Sequence, residues 1–288
     1  MPLTAALLAV ALASVPTPPP DLGSLPPSRG VYELRHDWWL DGSVTGVAGV
    51  AYLLSEGPFK NRLAPATCRW CDRLPDGTDT LNGFDAWGRG ARWSTEGIPT
   101  ARTLSDVTGI VAAPLLMLGL DAWVAHRNGA LSEVPVDSLI IIESVAVAAV
   151  FTQVVKFSVA RQRPYAHAAF GGELPPDTDA NVSFFSGHTQ LAFTLAVATG
   201  TVAELRGYEG RWLIWAVGLP LAAVTGYLRM GADKHYLSDV LTGAAVGSAL
   251  GFLIPTVFHG RTSWKPAKDG VEAHLSVGPG GLSVVGRF

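Results

Sequence analysis

From Val240 to Phe258 the chain is uncharged for 19 residues, the length at which an α-helix crosses the hydrocarbon core of a bilayer. No other feature restricts the possible folds as much. Gly243, Gly247 and Gly251 recur along this stretch at four-residue spacing. Residues four apart share a helix face, so the glycines form a seam on which a second helix can approach closely. Five apolar segments precede it, at Val44 to Leu54, Val107 to Leu120, Ser138 to Val155, Thr189 to Ala203 and Trp212 to Tyr227. None alternates with period two, so all are read as helices. They are shorter than the last, and Asp106, Asp121, Glu143 and Glu204 lie in or beside them. The expected fold is all-α, a membrane-embedded helical bundle of five to six helices whose ends protrude from the lipid. A water-soluble bundle competes with it, since buried core helices of about 14 apolar residues are ordinary.

Composition alone leaves that choice open. Charged residues make up 16% of the chain, well below the quarter or so usual in soluble domains. The mean hydropathy of +0.28 is nonetheless modest for a protein that is mostly membrane. A net charge of -3 with no basic run gives no footprint for nucleic acid, and no protein partner is evident.

Residues 1–13 form a short apolar run ending in Ala11-Leu12-Ala13, which reads as a signal peptide or an uncleaved apolar start; either implies export. Residues 14–42, with prolines from Pro16 to Pro27, read as a flexible linker. Residues 43–103 hold the first helix and a cap segment, rich in Trp, Arg and Asp from Lys60 to Arg102 and expected to be ordered beside the bundle. Residues 104–258 form the catalytic bundle. The tail, 259–288, is Gly-rich and weakly alternating near its end, which suits a small hairpin or disorder. Cys68 and Cys71 are too few for a four-thiolate zinc site, and in an exported segment they are expected to pair. Trp38, Trp39, Trp70, Trp87 and Trp93 suit a membrane interface or plain packing equally.

Three clusters carry the chemistry. They are Lys156-x6-Arg163-Pro164 at the exit of the third helix, Ser186-Gly187-His188 at the start of the fourth, and Arg229-x5-His235-x3-Asp239 between the fifth and sixth. Taken singly each has a bland explanation, as a snorkelling cation, a helix start or a packing histidine. In an up-down bundle, however, all three fall at the same end. Lys156, Arg163 and Arg229 then surround one point, and guanidinium forks match phosphate oxygens. Ser186 and Gly187 precede a helix whose unpaired N–H groups and dipole favour an anion. His235 and Asp239, four apart, are placed on one helical face, so the carboxylate would accept the Nδ1 proton and leave Nε2 as an in-line nucleophile. His188 would protonate the leaving alkoxide and later activate water. Such a site needs no metal and no cofactor.

These clusters resemble the signature of the type 2 phosphatidic acid phosphatase superfamily, which also includes class A acid phosphatases and vanadium haloperoxidases. The family pattern reads Lys-x6-Arg-Pro, Pro-Ser-Gly-His and Ser-Arg-x5-His-x3-Asp, and the resemblance covers Lys156 to Asp239. Phe185 stands where the pattern has Pro, and Leu228 where it has Ser. The resemblance implies phosphate binding by Lys156, Arg163, Ser186, Gly187 and Arg229. It implies His188 as acid, His235 as nucleophile and Asp239 as its support. It further implies a phosphatase acting on a membrane lipid phosphate monoester or diphosphate through a phosphohistidine. An exported non-specific acid phosphatase is the alternative, and a vanadium-dependent haloperoxidase a more distant one. The expected partners are the lipid phosphate substrate and membrane lipids, in a multi-pass protein of the cell membrane. His126, Arg127, Arg206 and Arg211 lie in loops opposite the site, so the positive-inside rule puts the site on the periplasmic or extracellular face.

Overall fold

The computed structural model describes residues 30–169, 179–266, 272–278 and 281–287. The signal-peptide segment and the prolines of the linker lie outside the described residues. Among the described residues six long helices carry the structure. They are α1 (Trp38–Glu56), α2 (Ile98–Arg127), α3 (Val134–Val159), α4 (Gly187–Arg206), α5 (Trp212–Gly231) and α6 (Leu237–Phe258). Each contains one of the apolar segments and extends beyond it. For α1 the reason is a cap: the Asp37 carboxylate accepts from the backbone N–H groups of Trp39 and Leu40 at 2.9 and 3.0 Å, worth about 1 kcal/mol. Helix α2 passes through a π-helical stretch at Val107–Ala112 before continuing to Arg127.

The central helix is α4, which is enclosed by α2, α3, α5 and α6, while α1 packs on α3. Ala192, Leu195, Ala196, Ala198, Val202 and Ala203 of α4 are all buried. The glycine seam of α6 lies directly on it. A Cβ at Gly243 would come within 2.7 Å of the Ser186 carbonyl oxygen, and one at Gly247 within 2.5 Å of that of Gln190. No side chain fits there, so the seam fixes how close α6 stands to the start of α4.

Among the described residues four helical stretches are long and apolar enough to cross a membrane: Ile98–Arg127, Leu131–Val159, Trp212–Gly231 and Leu237–Phe258. Their outward faces agree with that. Ile110, Val111 and Leu115 on α2, and Phe252, Leu253 and Phe258 on α6, are all exposed. Apolar surface on this scale is unfavourable in water and suits contact with lipid. The chain is therefore a multi-pass membrane protein with a helical bundle fold.

Two small strand pairs accompany the bundle. β1 (Gly30–Leu34) pairs antiparallel with β2 (Arg261–Pro266), and β3 (Glu272–Gly278) pairs with β4 (Gly281–Arg287) in continuous register. The flexible linker expected over 14–42 therefore does not reach residue 42. Past its last proline the chain forms β1, which buries Val31 and Leu34, and then enters α1. Of the two possibilities left open for the tail, the structure shows the hairpin. The cap segment is ordered, with short helices at Lys60–Leu63 and Gly83–Gly88 and a disulfide joining Cys68 to Cys71.

Candidate active site

The C-terminal ends of α3 and α5 and the N-terminal ends of α4 and α6 meet at one end of the bundle, and the eight site residues read from the sequence lie there. The imidazole of His235 is buried in the loop between α5 and α6. Its Nδ1 lies 2.8 Å from the carbonyl oxygen of Ser183, and its Nε2 lies 3.0 Å from Nη1 of Arg163. A carbonyl can only accept and a guanidinium can only donate. Nδ1 therefore carries the proton, and the Nε2 lone pair faces the cations. Burial holds the His235 pKa well below the ordinary histidine value, and the charges of Arg163, Arg229 and Lys156 push it the same way. The ring is thus neutral.

Arg163 is buried and anchored by donation to the carbonyl oxygens of Asp179 (2.7 Å) and Lys234 (2.8 Å). Arg229 donates to Ser105 Oγ at 3.1 Å and to the Asp106 carboxylate at 3.2 Å. The same Asp106 oxygen lies 2.9 Å from Nε2 of His188, so a carboxylate stands where an imidazolium would need one. The ammonium of Lys156, in the last turn of α3, makes no hydrogen bond or ion pair among the described residues. Its Nζ would lie only 3.1 Å from a Cβ built on Gly187, so the absence of a side chain there lets the ammonium and the α4 backbone share one space. Ser186 occupies the N-cap of α4, but its hydroxyl accepts from Thr189 Oγ1 at 2.9 Å and makes no capping bond. The first N–H groups of α4 are left as donors at the positive end of the helix.

One predicted contact is corrected. The four-residue spacing puts His235 and Asp239 on one helical face, but α6 begins at Leu237 with Tyr236 as its N-cap, so His235 lies outside the helix. The ring donates to Ser183 O, and the nearest Asp239 oxygen is 3.7 Å from Nδ1. Asp239 is held instead by Arg161 Nη1 (2.8 Å), Ser183 Oγ (2.6 Å) and the backbone N–H of Tyr236 (3.0 Å). It thus supports the segment whose carbonyl orients the histidine.

Three participants do not appear in the motif reading: Ser183, Asp106 and Arg161. Arg161 is fully buried between the rings of Trp70 and Tyr236, each 4.1 Å from its guanidinium carbon. It pairs with Asp72 and Asp85 of the cap as well as with Asp239. Through this one side chain the cap is tied to the floor of the site. Asp106 carried a usable signal, because a carboxylate inside an apolar helix needs a partner, and Arg229 and His188 are that partner. The described residues hold one group with metal-ligand spacing, Asp41, Glu143 and His259. It lies at the opposite end, where His259 Nε2 is 3.3 Å from Glu143, and it takes no part in this site.

A helical bundle that gathers three cations, a helix N-terminus and two histidines at the ends of its helices forms a site suited to an anion. Residues 137–263 match the PAP2 superfamily. Among curated proteins it is 42% identical over 83 residues to a lipid A 1-phosphatase of Porphyromonas gingivalis, covering 28% of this chain and 18% of that protein. It is 31% identical over 102 residues to a lipid A 4'-phosphatase of the same organism, covering 35% of this chain and 40% of that protein. The chain thus spans less than half the length of each of these relatives. Among solved structures, a transmembrane PAP2-type phosphatidylglycerolphosphate phosphatase from Bacillus subtilis aligns over 74% of this chain and 93% of its own, with 14% identity and a TM-score of 0.43. Aquifex aeolicus LpxE aligns over 53% of this chain and 92% of its own, with 24% identity and a TM-score of 0.32.

Proposed function

We propose that this protein is a membrane-bound phosphatase that removes phosphate from a lipid phosphate through a phosphohistidine on His235, without a metal. The observation that carries this reading is the fixed tautomer of His235, whose Nε2 lone pair faces Arg163 in a pocket of positive charge. The substrate phosphate is held by Lys156, Arg163 and Arg229, by the hydroxyl of Ser186 and by the N–H group of Gly187, the Ser186 N–H being donated to the Asp239 carbonyl oxygen at 3.1 Å. Nε2 attacks phosphorus in line, the P–O bond to the leaving group breaks, and His188 supplies the proton that the alkoxide takes. In the second half His188 accepts a proton from water, whose oxygen attacks the phosphohistidine. The P–N bond breaks, inorganic phosphate leaves, and Nε2 regains its lone pair. Asp106 favours the protonated state of His188 against burial and the charge of Arg229, which hold its pKa down at about 4, so the proton on His188 also depends on the negative charge of the bound phosphate. Asp239 supports the Ser183 segment through Arg161.

The resemblance to lipid A phosphatases supports a lipid A type phosphate as substrate. The membrane helices support the same class, because a headgroup phosphate sits level with residues at helix ends. The proposed orientation places the site on the outer face. It rests chiefly on His126 and Arg127, because Arg206 is buried in ion pairs and Arg211 is paired with Glu204. The test is hydrolysis of lipid phosphates by detergent-purified protein in EDTA, with vanadate as competitor. Release that persists in EDTA and is blocked by vanadate is expected. Activity lost to EDTA and restored by Mg²⁺ or Zn²⁺ would refute the mechanism.

A further inference from the structure

At the end of the bundle away from His235, three buried side chains from separate elements meet. They are Asp41 in the first turn of α1, Glu143 of α3 and His259, which follows α6. One ligand atom of each lies within 4.8 Å of the others. Nδ1 of His259 is 3.0 Å from the carbonyl oxygen of Arg35, which can only accept, so Nδ1 carries a proton. Nε2 lies 3.3 Å from Glu143 Oε2, yet neither atom has a hydrogen-bond partner among the described residues. A ring N–H directed at that oxygen would give it one. With side-chain accessibilities of 2% and 9%, both groups are shut away from bulk solvent.

Charge points the same way. Among the described residues neither carboxylate pairs with an arginine or lysine, and His259 alone stands within ion-pair distance, 3.9 Å from Asp41 and 3.3 Å from Glu143. Even a doubly protonated ring leaves one buried negative charge unanswered, and buried charges are paired or coordinate metals. We propose that Asp41, Glu143 and His259 bind a zinc ion. One imidazole nitrogen with two carboxylate oxygens is a donor set that zinc accepts. Tetrahedral ligands at zinc bond lengths stand about 3.4 Å apart, and Nε2 and Oε2 already meet that spacing. The other edges need a small inward turn of the Asp41 side chain. Outer partners are in place as well: the Arg35 carbonyl fixes the ring tautomer, and the Asp37 N–H donates to Asp41 Oδ2 at 2.7 Å. Such partners orient metal ligands. The ion fastens the start of α1 and the end of α6 to α3, so its role is structural and separate from the chemistry at His235.

The test uses the full-length protein without a histidine tag, purified in detergent, stripped with EDTA and titrated with Zn²⁺ alone. Calorimetry is expected to show one zinc bound per chain, and saturating zinc to raise the thermal midpoint by about 5 °C or more. The kcat, measured well below the midpoint of the stripped protein, is expected to stay unchanged. Glu143→Gln keeps the shape of the side chain and is expected to weaken zinc binding by more than about 100-fold, beyond what losing an outer partner costs. Asp41→Asn is expected to do the same and serves if Glu143→Gln does not fold. A wild type that binds no zinc, or whose midpoint zinc does not move, overturns the proposal and leaves the cluster holding only a proton on His259. Zinc affinity unchanged in a folded variant overturns it too.

Discussion

The two ends of the bundle both bury arginine, yet they balance it differently. At the end away from the site, Arg206 is fully buried against Asp137 and Glu133 at 2.7 and 3.0 Å, and Tyr208 donates to the second Asp137 oxygen at 2.7 Å. Arg206, Asp137, Glu133 and Tyr208 answer one another there, while the neighbouring Asp121 carboxyl is buried with no hydrogen-bond partner among the described residues. At the site end Lys156, Arg163 and Arg229 converge, and the carboxylates facing them are fewer and farther. Asp106 is 3.2 Å from Arg229, Asp179 is 3.7 Å from Arg163, and Lys156 has none within ion-pair distance among the described residues. Buried charge alone therefore does not mark a functional site in this protein. An excess of buried positive charge does, because it lowers the free energy of an anion that enters.

The sharpest way to break this comparison is to remove the group on which the positive end converges. His235→Ala is expected to lower kcat by about 10³-fold or more, while the thermal midpoint in detergent stays close to wild type. Steady-state release of phosphate and a melting curve measure the two halves. Turnover within about tenfold of wild type would show that His235 is not the nucleophile.

The reverse pattern is expected at the closed end. Arg206→Met leaves Asp137 buried without its cation, and Glu133 with Lys265 alone at 2.9 Å, and is expected to cost about 3–5 kcal/mol of stability. The kcat of the protein that remains folded should be near normal. Chemical or thermal unfolding reads the first and an active-site-normalised assay the second. A large loss of kcat in correctly folded Arg206→Met would mean that the two ends are coupled.

Asp106 belongs to the site end but is partly exposed, with 43% side-chain accessibility, so its loss separates chemistry from stability. Asp106→Asn is expected to reduce kcat/KM about 10²-fold, the scale of one positioned acid-base group, with little change in melting. An unchanged kcat/KM would remove Asp106 from the site.

The helices were legible in the sequence because apolar runs without period two leave few alternatives, and the glycine spacing of α6 translated directly into contact with the α4 backbone. The clusters Lys156 to Arg163, Ser186 to His188 and Arg229 to Asp239 were legible as a group because helix ends gather at one face. What was missed depends on contacts distant in sequence or on where a helix starts. Arg161 meets Asp72 and Asp85 from a segment with no periodicity, and β1 meets β2 from across the chain. Spacing four suggests a shared helical face only if both residues are helical, and at Tyr236 the chain is still extended.

The pH dependence follows from the same excess of positive charge. With its pKa held below about 6.5 by burial and by Arg163, Arg229 and Lys156, His235 stays neutral until the solution is more acidic than usual for a histidine. The acid limb of kcat/KM is therefore expected below that value. Between the two pKa values the unfolded chain binds more protons than the native state, so stability falls as pH drops through this window. A pH profile of kcat/KM with its acid limb at or above pH 6.5 would contradict the tautomer and its surroundings.

The smallest expected effect concerns Asp239 and decides how the histidine is held. If the carboxylate gripped the imidazole directly, neutralising it would cost about 10⁴-fold in kcat, as when an orienting carboxylate is removed from a catalytic histidine. Here the Ser183 carbonyl holds Nδ1 at 2.8 Å, and Asp239 stands at 3.7 Å. Asp239→Asn keeps the shape of the side chain but replaces one oxygen with an NH₂ group. It loses either the bond from Ser183 Oγ and the cap on the Tyr236 N–H or the bond from Arg161. The Ser183 carbonyl can still accept from the ring, so kcat is expected to fall only about tenfold, the scale of a lost supporting contact, and stability by about 1 kcal/mol for the weakened cap. Measured together, kcat and the melting curve separate the two arrangements. A loss near 10⁴-fold with an unchanged melt would return the orienting role to Asp239, whereas a tenfold loss with a lowered melt places it with the Ser183 backbone.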